Sequence, residues 1–376
     1  MIENSLFYLF SIGIVAFGFS TLASKTSLRI FKIVPAVVLI YMSTMLLASL
    51  GLFSQNEALS ATYTTAKSNL LPAMLFLMLL NVDFRLFKKL GRKLSIAYFC
   101  AIGSLFISFI IVFILFNFSA DERGTFAALA GSWMGGTANM LAVGAAFNVS
   151  EAQMGTALVV DSVDYALWVM LLLALVPLAP WFNKKMQTSA SYEHFTEIGC
   201  ACNLGPKRYY FLLILSFVVA LVSQVIAEFL PLLSATTWLV FIATVFGIIG
   251  SFTSLKNING SQEIASSMLY ILIAFIGSRA DFTGMHDIGS YLGAGTLILL
   301  LHALLMLLSA KVFKLDLFSI GVASLANIGG VASAPILAAA YNRSLVGIAV
   351  IMAIFGYLIG TFGGLGVGYL LQVIAQ

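Results

Sequence analysis

The sequence predicts an all-α polytopic membrane protein of two inverted repeats. Each repeat has five transmembrane helices and one Gly-Gly re-entrant or broken-helix element. Three observations predict it. The 376 residues are 61% hydrophobic and 9% charged, with a mean hydropathy of +1.05, whereas a soluble domain carries roughly 25% charged residues. The order of apolar runs and glycine pairs occurs twice along the chain. The lysines and arginines collect on one membrane side once the two copies are given opposite orientations.

The apolar runs suit helices of about 20 residues, and none alternates like a lipid-facing barrel strand. Spans are expected at 6–24, 33–53, 69–84, 94–118 and 151–178, with a broken element at 124–147. A polar linker at 183–208 follows. Further spans are expected at 209–229, 235–253, 264–280, 289–310 and 345–372, with a second broken element at 317–341. The chain thus divides into an N-terminal repeat, 1–182, the linker, and a C-terminal repeat, 209–376. The N-terminus is expected to be a span and not a cleaved signal, because Glu3 is the only charge before Lys25 and the first apolar run is long enough to cross. Cys100, Cys200 and Cys202 are too few for a zinc site or a disulfide framework.

The halves also match in detail. "DF" ends the third span of each, at Asp83-Phe84 and Asp281-Phe282. "GGTANMLAVGAAFN" from Gly135 aligns with "GGVASAPILAAAYN" from Gly329 without a gap, and Gly155 and Tyr165 match Gly347 and Tyr357. Let the N-terminus lie outside and let both glycine elements enter and leave on one side. Each half then has five crossings, and 16 of the 19 lysines and arginines lie inside. Only Lys67, Arg123 and Arg279 fall outside. Full crossing by both elements divides the basic residues almost evenly, against the positive-inside rule. Both termini are therefore predicted outside and the linker cytoplasmic, in the cell (inner) membrane. Half-helices that cross near the midplane are the alternative if another span is misplaced. The net charge of +4 is a topology signal and gives no reason to expect nucleic acid.

Non-helical backbone survives at membrane depth only when buried in protein or lining an aqueous cavity. Gly135-Gly136 and Gly329-Gly330 supply the backbone freedom for such a break. Pro335 suits the first turn of a new helix. The downstream half-helices are expected to start near Thr137 to Asn139 and Val331 to Pro335, exposing N–H groups and positive dipole ends. Two such ends near the midplane suit an anionic group, and the opposing C-terminal ends suit a cation. Ser132, Thr137, Asn139, Asn327 and Ser333 cluster there. The competing explanation is close packing of small residues. It accounts for the glycines but not for their duplication beside Asn and Ser.

In "VVDSVDY", Asp161 lies roughly 15 Å along the helix from Glu151, and Asp164 and Tyr165 share its face. Two carboxylates this close need a proton, Na⁺ or a basic partner. The second repeat has Ala353 and Gly356 at these positions, so the acids are candidate coupling-ion ligands, with Asn139 and Thr137 assisting. A structural pair bonded to neighbouring helices is the alternative. Arg279 is a candidate for a substrate carboxylate, or an interfacial residue that snorkels or pairs with Asp281 or Asp287. His302 is either a proton shuttle or a packed core histidine, and His194 and His286 fall in loops. The chain has no HExxH, Walker A or GxSxG motif, so no enzyme is expected. "GTFGGLGVG" in the last span predicts close helix packing.

The segments "GSWMGGTANMLAVGAAFNVSEAQMGTALVVDSVDYALW" and "NIGGVASAPILAAAYN" resemble the membrane family known as domain of unknown function 819 (DUF819, YjcL-like), over nearly the whole chain. That family is similar, distantly, to sodium:glutamate symporters and 2-hydroxycarboxylate transporters, with bile-acid sodium symporters and sodium/proton antiporters in the wider superfamily. The resemblance implies a core subdomain moving against a scaffold subdomain that dimerises. It puts Gly135, Gly136, Gly329 and Gly330 at hairpin tips. It sets Asp161 and Asp164 in the helix where antiporters carry their acids, though at i, i+3 spacing. The glycine motif differs from those of the glutamate and citrate families, so no substrate carries over.

The expectation is a secondary active transporter, Na⁺- or H⁺-coupled, that moves a small anionic organic solute by elevator-type alternating access. It binds no cofactor beyond the coupling ion. Its partners are that solute, the lipid bilayer and a second copy in a homodimer. A sodium/proton antiporter without organic substrate is the first alternative, and a non-transporting membrane receptor the second.

Overall fold

The computed structural model describes residues 1–25, 36–54, 56–80, 90–188, 205–230, 235–258, 260–280, 288–342 and 345–374. In the first half, α1 is Ser5–Lys25, α2 Ala36–Ser49 and α3 Glu57–Leu80. Then come α4 Gly91–Leu115, α5 Arg123–Gly135, α6 Thr137–Ala146 and α7 Glu151–Leu175. A short 3₁₀ turn joins α7 to α8, Ala179–Lys185. The second half has α9 Pro206–Glu228, α10 Ala235–Ser251, α11 Ser261–Gly277 and α12 Ile288–Phe313. It ends with α13 Leu317–Ile328, α14 Gly330–Tyr341 and α15 Val346–Ile374. Both broken elements are present where the sequence predicts them.

Several boundaries differ from expectation, each for a physical reason. The third span begins at 57 and not at 69. Its polar start carries Thr62, Thr64 and Asn69, whose side chains bond carbonyls one turn back at 2.8 to 3.0 Å and so are satisfied within the helix. The first residues of the predicted linker, through Lys185, are helical. Pro335 lies inside α14, not in its first turn, so the N–H that would bond the carbonyl of residue 331 is missing there. Among the described residues, six segments are long and apolar enough to cross a membrane: α1, α4, α7 with α8, α9, α12 and α15. Ten were expected. Of the other four, α2, α10 and α11 have only 14 to 17 residues, short of the ~30 Å hydrocarbon core at 1.5 Å per residue. The fourth is α3, whose first half is polar. The Asp-Phe repeats at 83–84 and 281–282, His194, His286, Cys200 and Cys202 lie outside the described residues.

The chain forms two compact units that interleave the halves. Unit 1 comprises 1–81, 144–162 and 202–288, and unit 2 comprises 82–143, 163–201 and 289–376. Unit 1 therefore takes the first three helices of each half. Unit 2 takes the fourth helix and nearly all of the broken pair of each half, the rest of α7 from Val163, and the whole of α15; residues 144–162 go to unit 1. The boundary falls within α6 and again within α7.

In unit 1, α10 lies close on α3: a Cβ at Gly247 would come within 2.7 Å of Leu79. Gly277 of α11 meets Thr44 and the Tyr41 carbonyl of α2 with no room for a side chain. Tyr8 of α1 bonds Ser278 at 2.5 Å and packs edge-on to Phe53 and Phe275.

In unit 2, both broken elements are helical hairpins. A Cβ at Gly131 of α5 would lie 3.0 Å from both Asn139 O and Val143 Cγ2 of α6, so α6 returns along α5. Gly321 of α13 likewise faces Leu337 of α14, at 3.6 Å. The hairpins start at opposite ends of α12. Glu122, just before α5, accepts a bond from Tyr291 in the first turn of α12 at 3.2 Å. α13 begins just beyond the end of α12, capped by Asp316, whose carboxylate accepts from Ser319 N at 3.0 Å and Oγ at 2.8 Å.

The last helix, α15, holds the first hairpin by backbone contact. Gly356, Gly360 and Gly364 recur every four residues on it. A Cβ at Gly364 would lie 2.9 Å from Gly131 Cα, one at Gly360 2.6 Å from Gly135 Cα, and one at Gly135 would collide with the Gly356 carbonyl. This is the small-residue packing expected of "GTFGGLGVG". Gly135→Ala should therefore lower stability by about 1–3 kcal/mol, as overpacking does. Gly103→Ala, at a site with nothing within 4 Å of the added carbon, should leave it unchanged. Thermal unfolding of the purified variants in detergent measures the contrast.

Candidate functional site

The two glycines of each pair do different work. The first of each pair, Gly135 or Gly329, is needed for space. A side chain at Gly329 would strike Tyr165 Cε2 and Ser333 Oγ. The second is needed for its backbone. Gly136 has φ +91° and Gly330 φ +58°, where other residues are strained. Both second glycines have room: Gly330 has nothing within 4 Å, and Gly136 only Tyr357 at 3.7 Å. The tyrosines repeat the pattern. Tyr357 of α15 faces the first tip and Tyr165 of α7 the second, and these two residues are the aligned pair of the two halves.

The tips converge on α15. Met134 O, in the last turn of α5, and Ala326 O, in the last turn of α13, lie 3.4 and 3.5 Å from where a Cβ of Gly356 would stand. Two helix C-termini, each with partial negative charge, thus point at one place. Thr137 and Gly330 open the returning helices, so their unpaired N–H groups begin at the same tips.

The side chains at the two tips are not equivalent. At the first, the Asn139 amide is fully engaged: Nδ2 donates to Gly135 O at 2.7 Å, and Oδ1 accepts from Thr361 at 2.5 Å. Asn139 braces the hairpin and ties it to α15. At the second, Asn327 Nδ2 donates to Ala323 O at 2.8 Å. This fixes the amide orientation and leaves Oδ1 buried without a partner among the described residues. Ser333 Oγ is also buried and unpartnered there. Asp164 is buried as well. Its Oδ1 accepts from Thr296 of α12 at 3.0 Å, and its Oδ2 has no partner among the described residues. Unpaired acceptors in a dry interior are costly, and a bound cation or hydrogen-bond donor relieves that cost.

The structure sorts the residues the sequence singled out. Unit 2 contains Gly135, Gly136, Thr137, Asn139, Asp164, Asn327, Gly329, Gly330 and Ser333, together with the buried Ser132. Thr137 is half-buried. Asp161 is also half-buried and belongs to the part of α7 that groups with unit 1. Asp161 and Asp164 are one turn apart on the continuous helix α7, with the unit boundary falling between them. Arg279 is in unit 1 too. Its Nη2 donates to Ser60 Oγ at 2.5 Å, and its guanidinium lies 5.8 Å from the Tyr63 ring centroid. Beside it Lys67 pairs with Glu151 at 2.9 Å, and the Tyr63 hydroxyl donates to the same carboxylate. No group of three or more His, Cys, Asp or Glu suited to a metal ion occurs among the described residues.

Sequence reasoning missed the partners. Thr296 and Thr361 are single hydroxyls in apolar helices, and their polarity was the available signal. It also missed the bonds around His302, which is wholly buried. Trp168 Nε1 donates to Ser324 Oγ at 2.9 Å, Ser324 lies 2.8 Å from His302 Nε2, and His302 Nδ1 lies 2.7 Å from Ser104 Oγ. Ser104 donates its own proton to Ala101 O at 2.9 Å. With the tryptophan as an obligate donor, a histidine that accepts from Ser324 on Nε2 and donates to Ser104 from Nδ1 fits every one of these bonds. That is the packed-core alternative for His302.

A helical chain with six segments able to cross a bilayer, and two helix hairpins packed against further helices in one unit, is a multi-pass membrane protein. It belongs to the family described as Protein of unknown function (DUF819), whose model matches residues 10–374. It is similar to the uncharacterized membrane protein YjcL of Bacillus subtilis (strain 168). The two are 25% identical over 331 residues, covering 82% of this chain and 83% of YjcL.

The unequal tips make a stability prediction. Thr361→Val strands Asn139 Oδ1 and should cost about 1–3 kcal/mol. Ser333→Ala removes a hydroxyl that has no partner, and should leave the melting temperature of ligand-free protein unchanged or raised. A drop for Ser333→Ala as large as that for Thr361→Val would show that Ser333 is structural.

Proposed function

We propose that the protein is a secondary active transporter, coupled to Na⁺ or H⁺, that moves a small anionic organic solute by elevator-type alternating access. One observation carries this reading. Two hairpins start at opposite ends of α12, bring their tips together at Gly356, and leave Asn327 Oδ1 and Ser333 Oγ buried and unsatisfied. Structural packing alone gives no reason to leave those acceptors bare. The coupling ion sits among acceptors, with Asp164 Oδ2, Asn327 Oδ1 and the carbonyl ends of α5 and α13 as its ligands. The solute anion takes the N–H groups that open α6 and α14, with the Ser333 hydroxyl and Thr137 as donors.

In this reading the halves are inverted repeats and the hairpins are re-entrant. Unit 2 is the moving core and unit 1 the scaffold, through which two copies form a homodimer. Both termini lie outside and the linker lies in the cytoplasm. Three close approaches agree with the grouping of these residues by side, whichever side is outside. Lys67 meets Glu151, and Arg279 meets Ser60, all four at loops assigned to the outside. Lys93, Thr188 and Lys314 meet at ends assigned to the inside. Asp161 and Arg279 then act on the scaffold side, outside the ion site.

A sodium/proton antiporter is the second reading. Asp164, a single buried carboxylate with one unpartnered oxygen, favours it. The two separate experimentally. Protein in proteoliposomes is given an inward Na⁺ or proton gradient and a panel of labelled mono-, di- and tricarboxylates. Uptake of one anion is expected, and Asp164→Asn should reduce it about 10- to 100-fold, the equivalent of a lost charge-assisted interaction. Proton movement induced by Na⁺ or Li⁺ without any anion supports the antiporter. Gradient-driven uptake that survives Asp164→Asn refutes the role of the acid.

A further inference from the structure

A groove of about 320 Å³ runs between α4 and α12 of unit 2. Cys100, Gly103 and Ile107 line it from α4, and Leu305, Ser309 and Val312 from α12. Gly103 makes it deep, because nothing stands within 4 Å of the point where its Cβ would be. The rim is apolar and open: Ile107 is 47% exposed and Val312 71%. The hydroxyl of Ser104, which also lines the groove, is committed to Ala101 O and His302. It is not free to hold a polar ligand. An apolar slot of this kind suits a hydrocarbon chain.

One end of the groove is strongly basic. The helices are antiparallel there, since Ser104 meets His302 while Lys93 and Lys314 meet at a common end. Lys93 Nζ lies 3.4 Å from Thr188 Oγ1, which itself donates to Lys314 O at 2.7 Å. Arg92 and Lys93 open α4, and Lys311 and Lys314 close α12. The exposed Arg92, Lys311 and Lys314 add to the charge of Lys93. Asp316 is the one described acid of unit 2 near this end, and it is buried with its carboxylate capping α13. Among the described residues, basic side chains therefore outnumber acidic ones at this end.

We propose that this groove binds one anionic phospholipid, with an acyl chain along Gly103 and the phosphate at the Lys311–Lys314 end. Basic residues at the end of an apolar slot between helices select acidic headgroups, and a zwitterionic lipid gains nothing from them. The site is distinct from the hairpin tips and does not depend on the transport reading.

Native mass spectrometry of the purified full-length protein tests it, with phosphatidylglycerol and phosphatidylcholine titrated in parallel. One phosphatidylglycerol should be retained in preference to phosphatidylcholine. The double substitution Lys311→Gln, Lys314→Gln, at exposed positions, should weaken that binding about tenfold or more. Gly103→Leu should fill the slot and abolish the bound lipid without lowering the melting temperature. Equal retention of the two lipids, or unchanged phosphatidylglycerol binding in the double-lysine variant, overturns the proposal. So does unchanged binding in a folded Gly103→Leu protein.

Discussion

Direct backbone contact between α15 and the first hairpin is the constraint on which the rest of unit 2 depends. Gly131 and Gly135 on one side meet Gly356, Gly360 and Gly364 on the other, with no side chain between them. In a bilayer the lipid tails are as apolar as the side chains, so helices gain little from burying hydrophobic surface against each other. They gain from dispersion over close surfaces and from hydrogen bonds. A glycine seam maximises the first. It also brings Thr361 within reach of Asn139, which supplies the second. The tip at Gly136 is placed by this seam.

The same seam brings the two tips together. Gly356 is where the carbonyl ends of α5 and α13 converge, with Met134 O and Ala326 O 3.4 and 3.5 Å from the place of its Cβ. The first repeat has Asp164 at the matching position. In the alignment of the two halves, one helix thus has a glycine at this position and the other a buried acid. The asymmetry extends to the tips. Asn139 is consumed in bracing, whereas Asn327 and Ser333 keep unpaired oxygen atoms. The two tips therefore share a backbone break but differ in the hydrogen bonding of the side chains beside it.

The interleaved units explain how one chain holds a polar interior in lipid. Unit 2 collects the hairpins and surrounds them with α4, α12 and α15 and the second part of α7. The broken backbone is then screened by protein, as it must be at membrane depth. Unit 1 carries its own charged network around Tyr63, Lys67 and Glu151. The helix α7 belongs to both, with the change of unit between Ser162 and Val163; Asp161 before it is half-buried and Asp164 after it is buried.

The membrane class, the doubled order of elements and the positions of both breaks were legible in the sequence. Composition, apolar length and glycine pairs are local properties, and each acts through the few residues around it. GGTAN and GGVAS announced a pair of backbone breaks with no knowledge of their neighbours. Which glycine of each pair serves packing and which serves the turn was decided only by tertiary structure, because a steric demand comes from atoms distant in sequence, Gly356 and Tyr165. The same holds for the division of labour between Asn139 and Asn327. Both are asparagines beside a break, and only the presence of Thr361 opposite one of them makes it a brace. It holds too for Arg279 and Asp161, which sequence logic gathered with the tips and the fold assigns to the other unit. Hydrogen-bond partners across 132 to 222 residues of chain leave no local signature, since nothing in one helix records which face of another it will meet.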